Sequence, residues 1–316
     1  MIDKMILLIG GVFALLLLAS AVGFVLSRRA ANGGPDPALA NLNARIKAWW
    51  AMVAVFAVAF LVGKELTIAL FALTSFYCLR EFLSITPTRP EDHRAVAVAF
   101  YLFIPLQYWL IWDGWQSLFA ILIPVWAFLL LPVLAVLKGE TGDFMARTAR
   151  IQWALMLTVF CISHAPALLI LKISGFEGQN FLLLFFLIAT VQLSDVLQYV
   201  FGKLFGQKLF SHKVAPRVSP AKTWEGLIGG GLSAAAAGAA LWWITPFAPW
   251  QAALMALAIV LAGFCGGLVL SAVKRSLDAK DWGTMIDGHG GALDRMDSVS
   301  FAAPVFFHLT NYFFAS

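Results

Sequence analysis

The sequence predicts an all-α, polytopic integral membrane protein that crosses the bilayer about ten times. Of its 316 residues, 61% are hydrophobic and only 12% are charged, against about 25% charged in an ordinary soluble domain. The apolar residues gather into runs of membrane-spanning length, and in lipid such runs satisfy their own backbone only as helices. Charge placement is the third observation. If ten spans are counted with the N-terminus outside, all but Lys4, Lys64 and Lys172 of the 22 Lys and Arg fall in loops on the inner side, as the positive-inside rule requires. The net charge of +5 therefore belongs to membrane-flanking loops and does not point to nucleic acid.

The first run, 5–26, is followed by Arg28 and Arg29. Basic residues after the run mark a retained anchor rather than a cleaved signal. Residues 30–47 read as a polar connection. Further spans are expected at about 48–63, 66–83, 95–112, 116–137, 152–171 and 181–201, then at 225–246, 250–271 and 298–315. The break at Lys64-Glu65 is the narrowest. The chain divides into N-terminal transmembrane helices, 1–180, and a C-terminal transmembrane catalytic part, 181–316, that holds both strongly polar loops. Those loops, 202–224 and 272–297, fall on the cytoplasmic side, facing soluble metabolites and anionic lipid. Residues 229–240, GGGLSAAAAGAA, read as a close helix-packing surface. Cys78, Cys161 and Cys265 lie singly in apolar runs and suggest neither disulfides nor zinc. No internal repeat is visible, which weighs against a transporter.

The densest charge lies at 271–298, SAVKRSLDAKDWGTMIDGHGGALDRMDS. Asp294 and Asp297 are three apart at the start of the last span, which places them on one face of a helical first turn. Two carboxylates there invite a hard, oxygen-ligated cation such as magnesium, and Asp281 can join across the loop. Gly290 and Gly291 permit a tight turn whose N–H groups suit phosphate oxygens. Lys274, Arg275, Lys280 and Arg295 supply positive charge for the same anion. His289 reads equally as a general acid–base or as a hydrogen-bonding member of the turn. Asp195 sits inside an apolar run, where a charge costs about 2.5–3.5 kcal/mol and requires a partner or a metal. Ser219, Lys222 and Thr223 precede a helix start, a natural place for phosphate; Trp224 beside them reads as an interfacial anchor.

These residues together resemble the phosphatidate cytidylyltransferase (CDP-diacylglycerol synthase) family. The resemblance rests on Ser271, Lys274-Arg275, Lys280-Asp281, Gly283, His289-Gly290-Gly291, Asp294-Arg295 and Asp297. Ser219-Pro220, Lys222 through Gly226, and Asp195 with Gly202-Lys203 extend it, so that it covers about 190–298. Two departures stand out. Asp287 replaces the family's usual Pro, Gly or Ser, and Val196-Leu197-Gln198 replace small residues after Asp195. The resemblance implies cytidylyl transfer from CTP to phosphatidate or a related lipid phosphate, with release of pyrophosphate. It implies magnesium, alone or with a second cation, held by Asp195, Asp281, Asp294 and Asp297. Lys222, Lys274, Arg275, Lys280 and Arg295 would neutralise phosphate, and Ser219 and Thr223 would add hydroxyl contacts. A homodimer in a bacterial inner membrane is also implied. A CTP-dependent lipid-alcohol kinase, a cytidylyltransferase for another lipid phosphate and a non-catalytic transporter are the competing readings.

Overall fold

A computed structural model describes residues 2–30, 37–137, 139–285 and 290–315. Ten helical segments run through it. They are α1 (Ile2–Ala30), α2 (Pro37–Val62), α3 (Lys64–Ile85), α4 (Pro90–Asp113) and α5 (Gln116–Val136). The others are α6 (Phe144–Ile170), α7 (Asn180–Phe205), α8 (Gly226–Ala240), α9 (Pro249–Ser276) and α10 (Leu293–Phe314). Among the described residues there is no strand, and eight of the ten helices are long and apolar enough to cross a membrane. α8 is apolar but short. α10 is diluted by Asp294, Arg295 and Asp297 in its first turns and by His308 and Asn311 near its end. The chain is an all-α, polytopic membrane protein.

The expected runs lie on these helices with two differences in extent. The span expected at 225–246 is helical only to Ala240, where a short turn at Trp242–Ile244 follows, and the second helix starts early. α2 begins at Pro37, so most of the expected polar connection at 30–47 is helical. Proline is tolerated at a first helical position because the N–H it lacks has no intrahelical acceptor there, and the residues after it are good helix formers. α2 and α3 are separated by Gly63 alone, at φ 133, a backbone angle that only glycine adopts without strain. The Thr67 hydroxyl lies against the carbonyls on both sides of this break, donating to Ala59 O (3.1 Å) and Gly63 O (3.0 Å).

Contacts at the two ends show that the helices alternate in direction. At one end, Lys4 donates to the Trp243 carbonyl, Lys64 to the Trp112 carbonyl and Gln116 to Asn311, at 2.8–2.9 Å. At the other, Arg89 pairs with Asp143 (2.8 Å) and Arg147 with a buried Asp92 (3.0 Å). The loop carrying Lys222 and the end of α9 carrying Lys274 lie at this second end, the motif end. α6 forms the centre, with 67% of its apolar window buried, whereas α1 has 6% and lies at the periphery. There it packs on α2 through Phe13 and Trp50.

α4, α5, α6 and α8 each contain one widened π-type turn. In α4 and α5 a proline lies beside or within it, at Pro105 and Pro124, where the missing N–H breaks the α-helical ladder. The small-residue stretch packs as its composition predicts. Gly230 lies against the backbone of Leu197 and Gln198, Gly238 against Ala256, and Gly231 against Val260. This brings α8 to backbone distance of α7 and close against α9. A cavity of about 570 Å³, lined by Lys64, Leu169, Lys172, Glu177 and Phe181 among others, opens at the end away from the motifs.

Candidate active site

At the motif end α7, α9 and α10 enclose a cluster of polar side chains. Asp195 is exposed on α7 although its helix is apolar. The Ser298 hydroxyl donates to Asp195 Oδ1 (3.1 Å), while the Ser298 N–H donates to Asp297 Oδ1 (2.7 Å). One residue of α10 thus touches both acids, and the acids lie within each other's electrostatic reach. Lys222 faces them from the loop before α8. Its Nζ donates to the Phe264 carbonyl (3.2 Å) and stands 4.4 Å from the centre of the Phe264 ring. Burial lowers the Lys222 pKa, and Asp297 and Asp195 oppose that shift by favouring its charge. α9 makes room with glycine: a Cβ on Gly267 would sit 2.7 Å from Lys222 Nζ, and one on Gly266 would sit 2.7 Å from the Asp297 carbonyl.

The loop carrying Lys222 is folded onto the start of α8. Lys222 N–H donates to the Ser219 carbonyl (3.2 Å), closing a turn around half-buried Ser219. Thr223 is buried, and its hydroxyl accepts from Gly226 N–H (3.1 Å), capping the helix as threonine does. Glu225 accepts from the N–H groups of Leu209 and Phe210 (both 3.0 Å). Those bonds, led by that from Phe210, pull its carboxyl down to about 2. Trp224 lies near Phe210, with ring centres 6.5 Å apart.

The second loop is pinned at the start of α10. Asp294 Oδ1 accepts from Lys274 Nζ (2.6 Å); its Oδ2 accepts from the N–H groups of Trp282 (2.8 Å) and Gly291 (2.9 Å). Gly290 turns at φ 83, and a Cβ there would lie 3.5 Å from that of the exposed Asp281. Lys280 and Arg275 are exposed, with Arg275 donating to the Ala279 carbonyl (3.2 Å). Arg295 is half-buried and within electrostatic reach of Asp195. His289 and Asp287 lie outside the described residues.

The four acids expected to share a cation are therefore divided. Asp195 and Asp297 meet at Ser298 and Lys222, whereas Asp294 is already filled by three donors of its own chain. Among the described residues no three His, Cys, Asp or Glu side chains gather as a metal cluster. Two participants were not anticipated from the sequence. One is Ser298. The other is Glu81 of α3, buried, which accepts from Ala292 and Leu293 N–H (both 2.9 Å). An acid inside an otherwise apolar run was the available signal.

The fold is a helical membrane bundle with an acid pair and a lysine gathered at one end. The sequence pattern of the cytidylyltransferase family matches residues 43–313, and the chain belongs to that family. It is a nucleotidyltransferase. It is 38% identical over 306 residues to the uncharacterized protein YnbB of Escherichia coli (strain K12), covering 95% of this chain and 96% of that one. It is 39% identical over 143 residues to a phosphatidate cytidylyltransferase of Brucella abortus biovar 1 (strain 9-941), covering 45% of this chain and 51% of the relative. A phosphatidate cytidylyltransferase of Mycobacterium leprae (strain TN) is 38% identical over 151 residues, 45% of each chain. The chain thus matches those two relatives over about half their length.

Proposed function

We propose that this protein transfers a cytidylyl group from CTP to phosphatidate or a closely related lipid phosphate, yielding a CDP-lipid and pyrophosphate for phospholipid synthesis. The observation that carries this reading is the Asp195–Ser298–Asp297 cluster facing Lys222 at the end of the bundle where the basic loops gather. A lipid phosphate oxygen attacks the α-phosphorus of CTP, the bond to the β-phosphate oxygen breaks, and pyrophosphate leaves. The attacking oxygen is already anionic, so no strong base is required, and catalysis reduces to positioning and charge neutralisation.

Lys222 and Arg295 stand at the acid pair, exposed Arg275 lies in the last turn of α9 and exposed Lys280 on the loop after it; these are the groups that neutralise phosphate. Lys274 acts through Asp294. The turn at Gly290-Gly291, whose Gly291 N–H is taken by Asp294, positions the loop rather than cradling phosphate, and Ser219 stands in the turn that ends at Lys222. Asp195 and Asp297 offer oxygen donors that meet at Ser298, a donor set that fits a hard cation such as magnesium. Bound there, it would supply further charge stabilisation to the triphosphate. Exposed Asp281 is the acid available to a second cation.

The test is incubation with cytidine-labelled and γ-phosphate-labelled CTP and a panel of lipid phosphates and lipid alcohols. Label from the cytidine on phosphatidate supports the reading. Only γ-phosphate on a lipid alcohol would make the protein a kinase instead. The motif end is assigned to the cytoplasmic side of a bacterial inner membrane, as the basic loops favour. Cysteines at the exposed Ser211 and Ser276, in a background without native cysteines, should react with impermeant reagents only once the inner face is opened. Labelling from outside would reverse the orientation.

A further inference from the structure

We propose that Glu81 is a positioning residue for this site: from α3 it holds the first turn of α10, and with it the acid pair and the glycine turn, in working register. Only the activity readout of this inference rests on the cytidylyl-transfer reading above.

Glu81 is 4% exposed in the wall of an apolar helix, a costly place for a carboxylate without strong partners. Its partners are backbone N–H groups more than 200 residues away in sequence. Ala292 donates to Oε1 and Leu293 to Oε2, both at 2.9 Å. These N–H groups open α10 and have no intrahelical acceptor, and a helix N-terminus favours negative charge. Two glycines of the loop are shaped to this carboxylate. A Cβ on Gly283 would come within 2.9 Å of Oε1, and one on Gly291 would overlap the carboxylate outright. The next residue, Phe82, stacks on buried Trp282 with ring centres 4.8 Å apart and planes 19° apart.

With Asp294, which takes the N–H groups of Trp282 and Gly291, Glu81 fixes four backbone donors on the two flanks of the loop. Asp297 lies one turn further along α10, so the same contact sets where Asp297 stands relative to Asp195. Displacement of reacting groups by about 1 Å can cost on the order of 10²-fold in rate, and that is the scale Glu81 controls.

Glutamine is the discriminating substitution. It has nearly the same shape but one acceptor oxygen, so its NH₂ group would confront one of the two N–H donors. Aspartate keeps both acceptors on a shorter arm. In the purified full-length protein, Glu81→Gln should lower kcat by about 10–100-fold while the KM for CTP changes little. Hydrogen exchange at the amides of 292 and 293 should accelerate, and Glu81→Asp should recover part of both. Asp92→Asn, at a buried acid of the same face paired with Arg147, should lower the melting temperature without that loss of kcat per folded molecule. Unchanged kcat and unchanged exchange in a folded Glu81→Gln protein would overturn the inference. So would a loss of kcat that Asp92→Asn reproduces. If the wild type does not use CTP, the functional reading fails, and the exchange measurement still decides whether Glu81 holds the loop.

Discussion

Lys274 and Asp294 meet at 2.6 Å between α9 and α10, with side chains 11% and 6% exposed. Because Asp294 also accepts two loop N–H groups, this pair joins the end of α9 to the loop and to the start of α10. Removing one partner of a buried pair leaves the other charge stranded, at a cost of about 3–5 kcal/mol. Lys274→Met should therefore lower the melting temperature markedly and reduce turnover with it. Asp294→Asn should also destabilise the protein, which separates it from an acid whose main duty is to hold a cation. Thermal unfolding of the two variants in detergent checks this, and wild-type stability in either would refute it.

Glu225 provides a pH-dependent brace for the loop at 206–224. Its folded pKa is depressed from 4.5 to about 2, so its contribution to stability is fully present above about pH 4.5. That contribution is lost as pH falls through 4.5 towards 2. Glu225→Gln should melt below the wild type at pH 7, and the difference should shrink as pH falls below 4.5. A difference independent of pH would mean that the bonds to Leu209 and Phe210 do not depend on the charge.

Gly230 faces the backbone of Leu197 and Gln198 more closely than any Cβ allows. Backbone yields less readily than a side chain, so Gly230→Ala should cost about 1–3 kcal/mol or more by prising α8 from α7. Gly10 of α1, with nothing within 4 Å, is the internal comparison, and Gly10→Ala should leave the melting temperature unchanged or slightly raised. Equal effects at the two positions would contradict the packing account.

Much of the fold was legible because lipid imposes a strong rule. Length of apolar run and the side taken by Lys and Arg both follow from the cost of burying backbone and charge. The helical stretch after Pro37 was not, since its polar residues resemble a loop when only hydropathy is considered. At the site, the residue types and their loops were legible, whereas their pairing was not. The spacing of Asp294 and Asp297 puts both on one face of α10, but what each meets is decided by other helices. Lys274, 20 residues away, takes Asp294, and Asp195, 103 residues away, comes to Ser298 beside Asp297. Glu81 shows the same limit, because its partners lie 211 and 212 positions along the chain. Nothing local announces such a contact.

Asp195 and Asp297 are the acids whose loss should remove chemistry while sparing the fold. Asp195 is exposed and Asp297 half-buried, each accepts a bond from Ser298, and an amide oxygen can still accept that bond. Asp195→Asn and Asp297→Asn should therefore insert and melt nearly as the wild type does. Each removes negative charge from the place where Lys222 is drawn and where a divalent cation would bind. Loss of about 3–4 kcal/mol of transition-state charge stabilisation corresponds to a fall of about 10²–10³-fold in kcat. If both acids serve one cation, the double variant should be little slower than either single one, since residues acting as a unit are not additive. The magnesium concentration giving half-maximal rate should rise in each single variant. Multiplicative losses in the double variant would assign the two acids to separate tasks. Near-normal, magnesium-dependent turnover in a folded Asp297→Asn protein would remove Asp297 from the cation site altogether.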